Sequence, residues 1–423
     1  MHFMIGMLGI LMLLVIAYLL SSKRSAINLR TVGTAFVLQA GFAAFVLYVP
    51  WGQNSLAAMS NVVSSLEDSA TKGIDFLFGG LNSTKMFDLF GGGGFVFAIK
   101  VLPVIVFFSA FIAVLYYLRV MDVIISVIGG ALQRAMGTSR TESLSATANI
   151  FLGQTEAPLV VRPYIPHMTR SELFSVMVCG LASTAGSVMI GYASLGVDLK
   201  YLIAASLMSA PGGMLMAKLM EPESETPQDR PDLIEGYADD RPANVLDAAA
   251  AGASSGLQLA LNVGAMLLVF IALVAVLNSL MGWLGGFVGY PGVTLQLLLG
   301  YAFAPVAWLL GVPWAEAIQA GGFIGQKIVL NEFVAYVDFA RYINPIQASA
   351  AGVEVLSAHT QVIVTFALCG FANLSSIGIL LGGMGVMAPN RRKDLARLGV
   401  RAMIAGTLAN LMSAALAGLF VSL

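Results

Sequence analysis

The stretch that decides the fold is Ala146–Pro166, with the sequence ATANIFLGQTEAPLVVRPYIP. Its apolar pieces are too short to cross a bilayer, because a transmembrane helix needs about 20 mostly apolar residues. Gly153–Pro158 places glutamine, threonine and glutamate between these pieces. Irregular backbone at membrane depth is tolerated only inside protein or beside a water-filled cavity. We therefore predict a re-entrant hairpin that enters the membrane, turns at a polar tip and leaves on the same side.

The composition of the whole chain indicates an all-α polytopic membrane protein. Of its 423 residues, 58% are hydrophobic and 11% are charged, whereas a soluble domain has about 25% charged residues. The net charge is −1, so no basic surface is available for nucleic acid, and no nucleic-acid partner is expected. Two cysteines and three widely separated histidines argue against a disulfide scaffold and a metal centre built from these residues.

Segments without charged residues locate the transmembrane spans. They are residues 1–22, 31–66, 101–118, 173–197, 201–217, 248–315, 355–390 and 402–423. The segment 248–315 is long enough for two spans, with a break at Gly282–Gly292. The first segment lacks the basic start of a signal peptide and is expected to be a retained helix. About eight full spans are predicted, all helical, because no segment has the alternating pattern of a barrel strand.

The distribution of Lys and Arg predicts the orientation in the membrane. These residues concentrate in loop 21–30, segment 119–170 and segment 391–401. Short loops rich in Lys and Arg face the cytoplasm. The N-terminus is then periplasmic, and the acidic tract within 219–255 becomes a cytoplasmic connection.

A second hairpin is predicted at Ile318–Pro345, where Gly, Lys, Asn and Glu interrupt an apolar run. Each hairpin precedes a span with a related core, CGLAST at 179–184 and CGFANL at 369–374. The hairpins also share FLGQ at 151–154 and FIGQ at 323–326. We therefore predict an inverted repeat of hairpin plus broken helix, the arrangement that marks the binding site of secondary transporters.

Glu156 and Glu332 lie in the two hairpins, and a carboxylate inside a membrane costs roughly 2.5–3.5 kcal/mol on insertion scales. Two interpretations remain open. Each acid is either a structural group paired with a cation, such as Lys327 for Glu332, or an acceptor for a polar solute in a wet cavity. The nearby amides of Gln154 and Asn373 favour a neutral solute with several hydroxyl and N–H donors.

Asn149 and Ser183 are candidate ligands of a sodium ion, because they lie at a hairpin end and at the glycine-marked middle of a span. Unwound backbone frees carbonyl oxygens, which together with side-chain oxygens can bind Na⁺. The alternative is that these polar groups join neighbouring helices, as they commonly do in membranes.

Three motifs in register resemble the signatures of bacterial concentrative nucleoside transporters: GQTEAP at 153–158, NEFVAY at 331–336 and CGFANLSS at 369–376. The resemblance extends from about Thr31 to Leu423. It implies a homotrimer in the bacterial inner membrane, with eight transmembrane helices, two opposed re-entrant hairpins and interfacial helices in each protomer. A mobile transport domain would move against a scaffold as an elevator. The protein would be a symporter and not an enzyme, importing nucleosides such as uridine with a sodium gradient.

The resemblance also implies roles for individual residues. The nucleobase would contact Gln154, Thr155, Glu156 and Val188. The ribose would contact Glu332, Phe371, Asn373 and Ser376. Sodium, as a coupling ion, would contact Asn149, the backbone of Leu152, and Ser183.

The expected organisation of the chain follows the repeat. Its parts are 1–118, N-terminal helices with a scaffold contribution; 119–218, the first hairpin and following spans; 219–255, the acidic connection; 256–317, scaffold helices; 318–390, the second hairpin and broken span; and 391–423, the C-terminal helix.

Several other functions are weighed against this one. A proton-coupled transporter of nucleosides or nucleobases has the same architecture. Gly252–Gly256 matches GxSxG, so Ser254 with His359 would make an intramembrane serine protease. A glycine- and alanine-rich helix start explains that motif more simply. A channel is a further option, which accumulation against a gradient would exclude.

Overall fold

The computed structural model describes residues 2–83, 85–89, 96–227, 242–287 and 289–422, and these residues form helices and turns without a strand. Short 3-10 helices occupy Arg24–Ala26, Gly79–Asn82, Ala157–His167 and Pro389–Arg391. The α-helices of the described residues are α1 (His2–Leu19), α2 (Leu29–Leu47), α3 (Pro50–Phe78), α4 (Lys85–Leu89), α5 (Phe97–Lys100), α6 (Leu102–Tyr117), α7 (Val120–Met136), α8 (Arg140–Ala148), α9 (Arg170–Ala182), α10 (Gly186–Ser194), α11 (Leu199–Met220), α12 (Val245–Gly286), α13 (Leu295–Leu309), α14 (Trp314–Val329), α15 (Glu332–Ala340), α16 (Pro345–Ala351), α17 (Ala358–Leu368), α18 (Leu374–Met387) and α19 (Arg392–Val421).

The helices confirm a multi-pass, all-α membrane protein. Six helical segments of the described residues are long and apolar enough to cross a membrane. They are Leu29–Leu47, Phe97–Tyr117, Arg170–Ser194, Leu199–Met220, Val245–Gly286 and Pro389–Val421. A seventh is possible if α13 and α14, which meet at a bend of 115°, count as one span. The sequence predicts about eight spans because hydropathy also includes α1 and the segment 355–390, which the structure divides into the short helices α17 and α18.

The segment 248–315 breaks within the predicted range Gly282–Gly292, though a few residues later than its start. It holds one helix of 42 residues, α12, followed by α13. The helix continues through Gly282, and the break falls after Gly286. α12 also begins at Val245, so the end of the predicted connection 219–255 is helical.

The first hairpin segment is bounded by two capping boxes. Ser139 and Glu142 cap α8, and Thr169 and Glu172 cap α9, each pair satisfying backbone N–H groups of a helix start. α8 ends at Ala148 with Asn149 as its C-cap, and the chain continues through a turn into the 3-10 helix Ala157–His167. Prolines inside that segment remove backbone donors, which prevents a regular α-helix. Its re-entrant course through a bilayer stays a prediction.

A broken helix follows each hairpin segment. α9 and α10 are separated by residues 183–185, and α17 and α18 by residues 369–373. The two breaks touch, because the Phe371 N–H donates to the Ser183 carbonyl at 3.0 Å. Cys179 lies within α9 whereas Cys369 ends α17, so the matching hexapeptides do not mark matching helix ends.

Candidate functional site

A cavity of about 520 Å³ lies between the tips of the two hairpin segments, the second helix break and α12. This volume lies within the usual range for small-molecule sites. Seven of the predicted substrate contacts line it: Gln154, Thr155, Glu156, Glu332, Phe371, Asn373 and Ser376. Residues from the two halves of the chain therefore share one cavity.

Glu332 presents its carboxylate to this cavity from the first turn of α15 and is 5% exposed. The Asn373 amide donates to Glu332 Oε2 at 2.7 Å, and the Tyr192 hydroxyl donates to Oε1 at 3.3 Å. Tyr192 is itself buried and stacks on Tyr336, with 4.2 Å between ring centroids. The packed ring and the amide hold the carboxylate in one orientation, which leaves its remaining lone pairs available to a ligand.

Asn373 links the second helix break to this carboxylate. It is the N-cap of α18, and its Oδ1 accepts from the Ser376 N–H at 2.8 Å and the Ser375 hydroxyl at 2.7 Å. Since Oδ1 is engaged in the cap, the Nδ2 group is directed at Glu332. The extended backbone at the break thus supplies both a helix cap and a polar cavity wall.

Glu156 also lines the cavity and is more open to water than Glu332, because it is exposed whereas Glu332 is buried. Its Oε2 accepts from the Gly153 N–H at 3.4 Å, which is a long hydrogen bond. Glu156 and Ser255 also line a neighbouring cavity of about 620 Å³. Glu156 therefore borders both cavities, whereas Glu332 borders only the first.

The charge of the cavity suits a neutral ligand that donates hydrogen bonds. Two carboxylates line it, and no lysine, arginine or histidine of the described residues does so. The structural interpretation of Glu332 as the partner of Lys327 does not fit the contacts, because the Lys327 ammonium donates to the Ala367 carbonyl and to Asn410 Oδ1. Glu332 is instead held by Tyr192 and Asn373.

The third wall of the cavity was missed in the sequence. α12 contributes Ser255, Gln258 and Asn262 to it. These polar residues recur at helical spacing in an otherwise apolar helix, which is a signal that one face meets a polar cavity. Val188 is buried in α10 and does not line this cavity, so its contact with a nucleobase stays a prediction.

Two of the predicted ion ligands, Asn149 and Ser183, lie close to the same turn at the first helix break, and the role of the Leu152 carbonyl stays a prediction. Asn149 and Ser183 are both buried, and the Ser183 hydroxyl donates to the Gly180 carbonyl at 3.3 Å. A Cβ on Gly180 would lie 3.6 Å from Asn149 Oδ1, so this amide oxygen faces the same helical turn. The Phe151 carbonyl accepts from the Gly186 N–H at 3.0 Å, which fixes the hairpin tip against the start of α10.

Asn149 Oδ1 has the properties of an ion ligand. It is buried and accepts no hydrogen bond from any group of the described residues. A buried oxygen without a partner costs about 1–3 kcal/mol, and a bound cation would remove that cost. Within those same residues no cluster of three or more His, Cys, Asp or Glu is placed to bind a metal. The first helix break supplies neutral oxygen atoms, which are suitable ligands for Na⁺.

The GxSxG motif serves helix packing. Gly252 and Gly256 lie inside α12, four residues apart and facing α6. A Cβ on Gly252 would lie 2.8 Å from the Ala110 Cα, and one on Gly256 would lie 2.6 Å from the Ser109 Cβ. Small residues at this spacing let membrane helices approach closely. This packing accounts for both glycines of the motif without a catalytic role.

Broken helices that meet around a polar, two-carboxylate cavity define the class of secondary transporters. Comparison with known sequences gives the family. Residues 201–418 match the family described as Na⁺ dependent nucleoside transporter C-terminus, residues 8–81 match its N-terminus, and residues 98–198 match a gate domain described as nucleoside recognition. The chain belongs to the concentrative nucleoside transporter family.

Relatives cover nearly the whole chain. The nucleoside permease NupC of Helicobacter pylori is 48% identical over 423 residues, covering 99% of this chain and 98% of that protein. Sodium/nucleoside cotransporter 1 of Mus musculus is 38% identical, covering 98% of this chain and 63% of that protein. These relatives are transporters, so the prediction that the chain is not an enzyme is confirmed.

Solved structures show the same fold. The structure of CNTnw in an inward-facing, substrate-bound state is 56% identical, with a TM-score of 0.96 over 100% of this chain and 99% of that chain. A variant of CNTnw in an outward-facing state has a TM-score of 0.97 over the same shares.

Proposed function

We propose that this protein is a sodium-driven symporter that imports nucleosides, such as uridine, across the bacterial inner membrane. The observation that carries this proposal is the shared cavity, which Glu156 and Glu332 line from the two hairpin segments with no lysine, arginine or histidine of the described residues beside them. The Glu332 carboxylate can accept hydrogen bonds from the ribose hydroxyls. A base edge carries both donors and acceptors, which Gln154 and Glu156 can match.

Each predicted contact takes a place in this proposal. Gln154, Thr155, Glu156 and Val188 contact the nucleobase, whereas Glu332, Phe371, Asn373 and Ser376 contact the ribose. The family name and the mouse sodium/nucleoside cotransporter support nucleoside as the substrate and sodium as the ion.

Sodium is assigned to Asn149, Ser183 and the Leu152 carbonyl. A cation there joins the first hairpin tip to the break between α9 and α10, so the nucleobase contacts form fully only when the ion is bound. One positive charge moving inward gains about 2.3 kcal/mol per 100 mV. This gain is enough to concentrate a neutral solute.

Movement and assembly are assigned from the family. Residues 119–218 and 318–390 would form the transport domain, which moves as an elevator against a scaffold that includes 1–118 and 256–317. The inward-facing, intermediate and outward-facing structures of CNTnw support movement between such states. We further propose a homotrimer with a periplasmic N-terminus.

Radiolabelled uridine uptake into proteoliposomes tests the proposal. We expect accumulation with an inward sodium gradient, loss of accumulation when choline replaces sodium, and competition by nucleosides but not by free uracil. Accumulation driven by a proton gradient alone, or competition by uracil equal to that by cytidine, would favour a proton-coupled nucleoside or nucleobase transporter.

A further inference from the structure

The neighbouring cavity of about 620 Å³ is large enough to be a small-molecule site of its own. Glu156 and Ser255 line both cavities, so the two spaces adjoin each other at the first hairpin segment and α12. We call the larger cavity the vestibule. The residues that decide its chemistry are Tyr116, Tyr117, Arg119, Asp122, Phe151 and Glu156.

The vestibule lies at helix ends that the distribution of Lys and Arg assigns to the cytoplasm. Tyr116 is in the last turn of α6, Arg119 is the N-cap of α7, and Ser255 is near the start of α12. Arg119 and Asp122 are exposed, so this end of the vestibule borders solvent. A nucleoside that leaves the two-carboxylate cavity toward the cytoplasm would therefore cross the vestibule.

Aromatic side chains give the vestibule a surface for a flat ring. Tyr116, Tyr117 and Phe151 line it, and every nucleobase has a π face that stacks on such rings. The Tyr116 hydroxyl is buried and has no hydrogen-bond partner among the described residues. A buried polar group without a partner is costly, and a polar ligand would remove that cost. Tyr116 thus offers both a ring and an unpaired hydroxyl.

The charges of the vestibule favour a neutral ligand. Among the described lining residues, Arg119 is the one cation, and Asp122 and Glu156 are the two acids. A phosphate group would meet more negative than positive charge there. A neutral solute with hydroxyl and N–H groups can bond to these acids without that repulsion.

The turn between α6 and α7 has a strained backbone. Arg119 has a φ of 60° and a ψ of 11°, in the left-handed region, and no other non-glycine residue of the described chain has a positive φ. Its N–H donates to the Tyr116 carbonyl at 2.9 Å. Such strain persists only where the surrounding structure enforces it, and it clusters at ligand sites. The turn fixes the backbone of Tyr116 at the edge of the vestibule.

We propose that the vestibule is a second nucleoside site, which the solute occupies between the two-carboxylate cavity and the cytoplasm. The inference rests on the proposed function and adds a binding step to it. The base stacks on Tyr116, and a polar group of the nucleoside bonds to the Tyr116 hydroxyl. This site binds more weakly than the first, because its acids, Asp122 and Glu156, are exposed, whereas Glu332 is buried.

Equilibrium dialysis of tritiated uridine against the purified protein, with sodium and up to millimolar uridine, tests the proposal. We expect two uridines for each wild-type protomer, one bound tightly and one weakly. Glu332→Gln should weaken only the tight site. Tyr116→Ala should weaken only the weak site, by about tenfold or more.

Two further variants separate the ring from the hydroxyl and control for the loss of a tyrosine. Tyr116→Phe keeps the ring and should weaken the weak site by about threefold, the loss of one neutral hydrogen bond. Tyr301→Ala is the matched control, because Tyr301 is exposed on α13 and lines neither cavity. It should bind both uridines like the wild-type protein.

The outcomes against the proposal are distinct. A single uridine for each wild-type protomer, lost in Glu332→Gln, would overturn the second site and leave the proposed function intact, and no bound uridine would contradict both. A second uridine that binds Tyr116→Ala as tightly as the wild-type protein lies elsewhere and refutes the assignment. Displacement of the weak uridine by uridine 5′-monophosphate more readily than by uridine would refute a neutral ligand. If Tyr116→Ala does not assemble, the wild-type count and Tyr116→Phe decide.

Discussion

Replacement of Glu332 by glutamine removes the acceptor that we assign to the ribose and keeps the shape of the side chain. In the structure this carboxylate accepts from Asn373 at 2.7 Å and from Tyr192 at 3.3 Å. In Glu332→Gln, the amide oxygen must face the Asn373 donor. The new NH₂ group then points to Tyr192 and the cavity, where the ribose hydroxyls need an acceptor.

The expected loss follows from hydrogen-bond energies. A bond to a charged acceptor contributes about 1.5–3 kcal/mol, against about 0.5–1.5 kcal/mol for a neutral pair. Each ribose hydroxyl bound by Glu332 should therefore lose about 1.5 kcal/mol, or roughly tenfold in affinity. If two hydroxyls are bound, the loss is about 100-fold, and uridine uptake is almost abolished while the protein still assembles.

Calorimetric titration of uridine into purified protein with sodium measures this loss directly. Glu316→Gln is the matched control, because Glu316 lies at the start of α14, accepts from the Ser357 N–H and hydroxyl, and does not line the cavity. It should bind uridine like the wild-type protein. In the wild-type protein, the 2′- and 3′-deoxy analogues should bind more weakly than uridine. In Glu332→Gln, this difference in affinity between uridine and its analogues should be smaller. Wild-type affinity in Glu332→Gln would remove Glu332 from the site.

Three further predictions address other parts of the molecule. Asn149→Ala or Ser183→Ala should raise the sodium concentration for half-maximal uptake by about tenfold, and an unchanged sodium titration would count against the ion site. Burial raises the pKa of Glu67 on α3, while a Ser194 hydrogen bond lowers it. Folding thus disfavours the charged form of Glu67, so the stability of the protein rises as pH falls through the raised pKa. Near pH 8, Glu67→Gln should have a higher melting temperature than the wild type, and its melting temperature should depend less on pH. Gly256→Ala should lower the melting temperature, because the added Cβ would collide with α6. Gly130 has open space around it, so Gly130→Ala should stabilise the protein by up to about 1 kcal/mol. Equal changes of melting temperature in the two variants would argue against the packing role of Gly256.

The acidic half of the site was predictable because an intramembrane carboxylate is costly and rarely accidental. Glu332 and Asn373 lie 41 residues apart in the chain, and each stands out in the sequence as a polar residue in an apolar segment. The break in the span 355–390 was likewise signalled by its polar middle residues.

Other features depend on contacts that local sequence does not encode. Lys327 lies five residues before Glu332, which suggested an ion pair, but its acceptors lie 40 and 83 residues away. The α12 wall was missed because Gln258 and Asn262 are few among apolar neighbours, and hydropathy averages them away.

A structure determined with uridine and sodium would test most directly whether two carboxylate-bearing hairpin tips enclose one nucleoside. Our interpretation predicts the ribose within hydrogen-bonding distance of Glu332 and Asn373, the base beside Gln154 and Glu156, and an ion at Asn149. Uridine bound elsewhere in a protein that still transports it, or bound with Glu332 out of reach, would contradict the central claim.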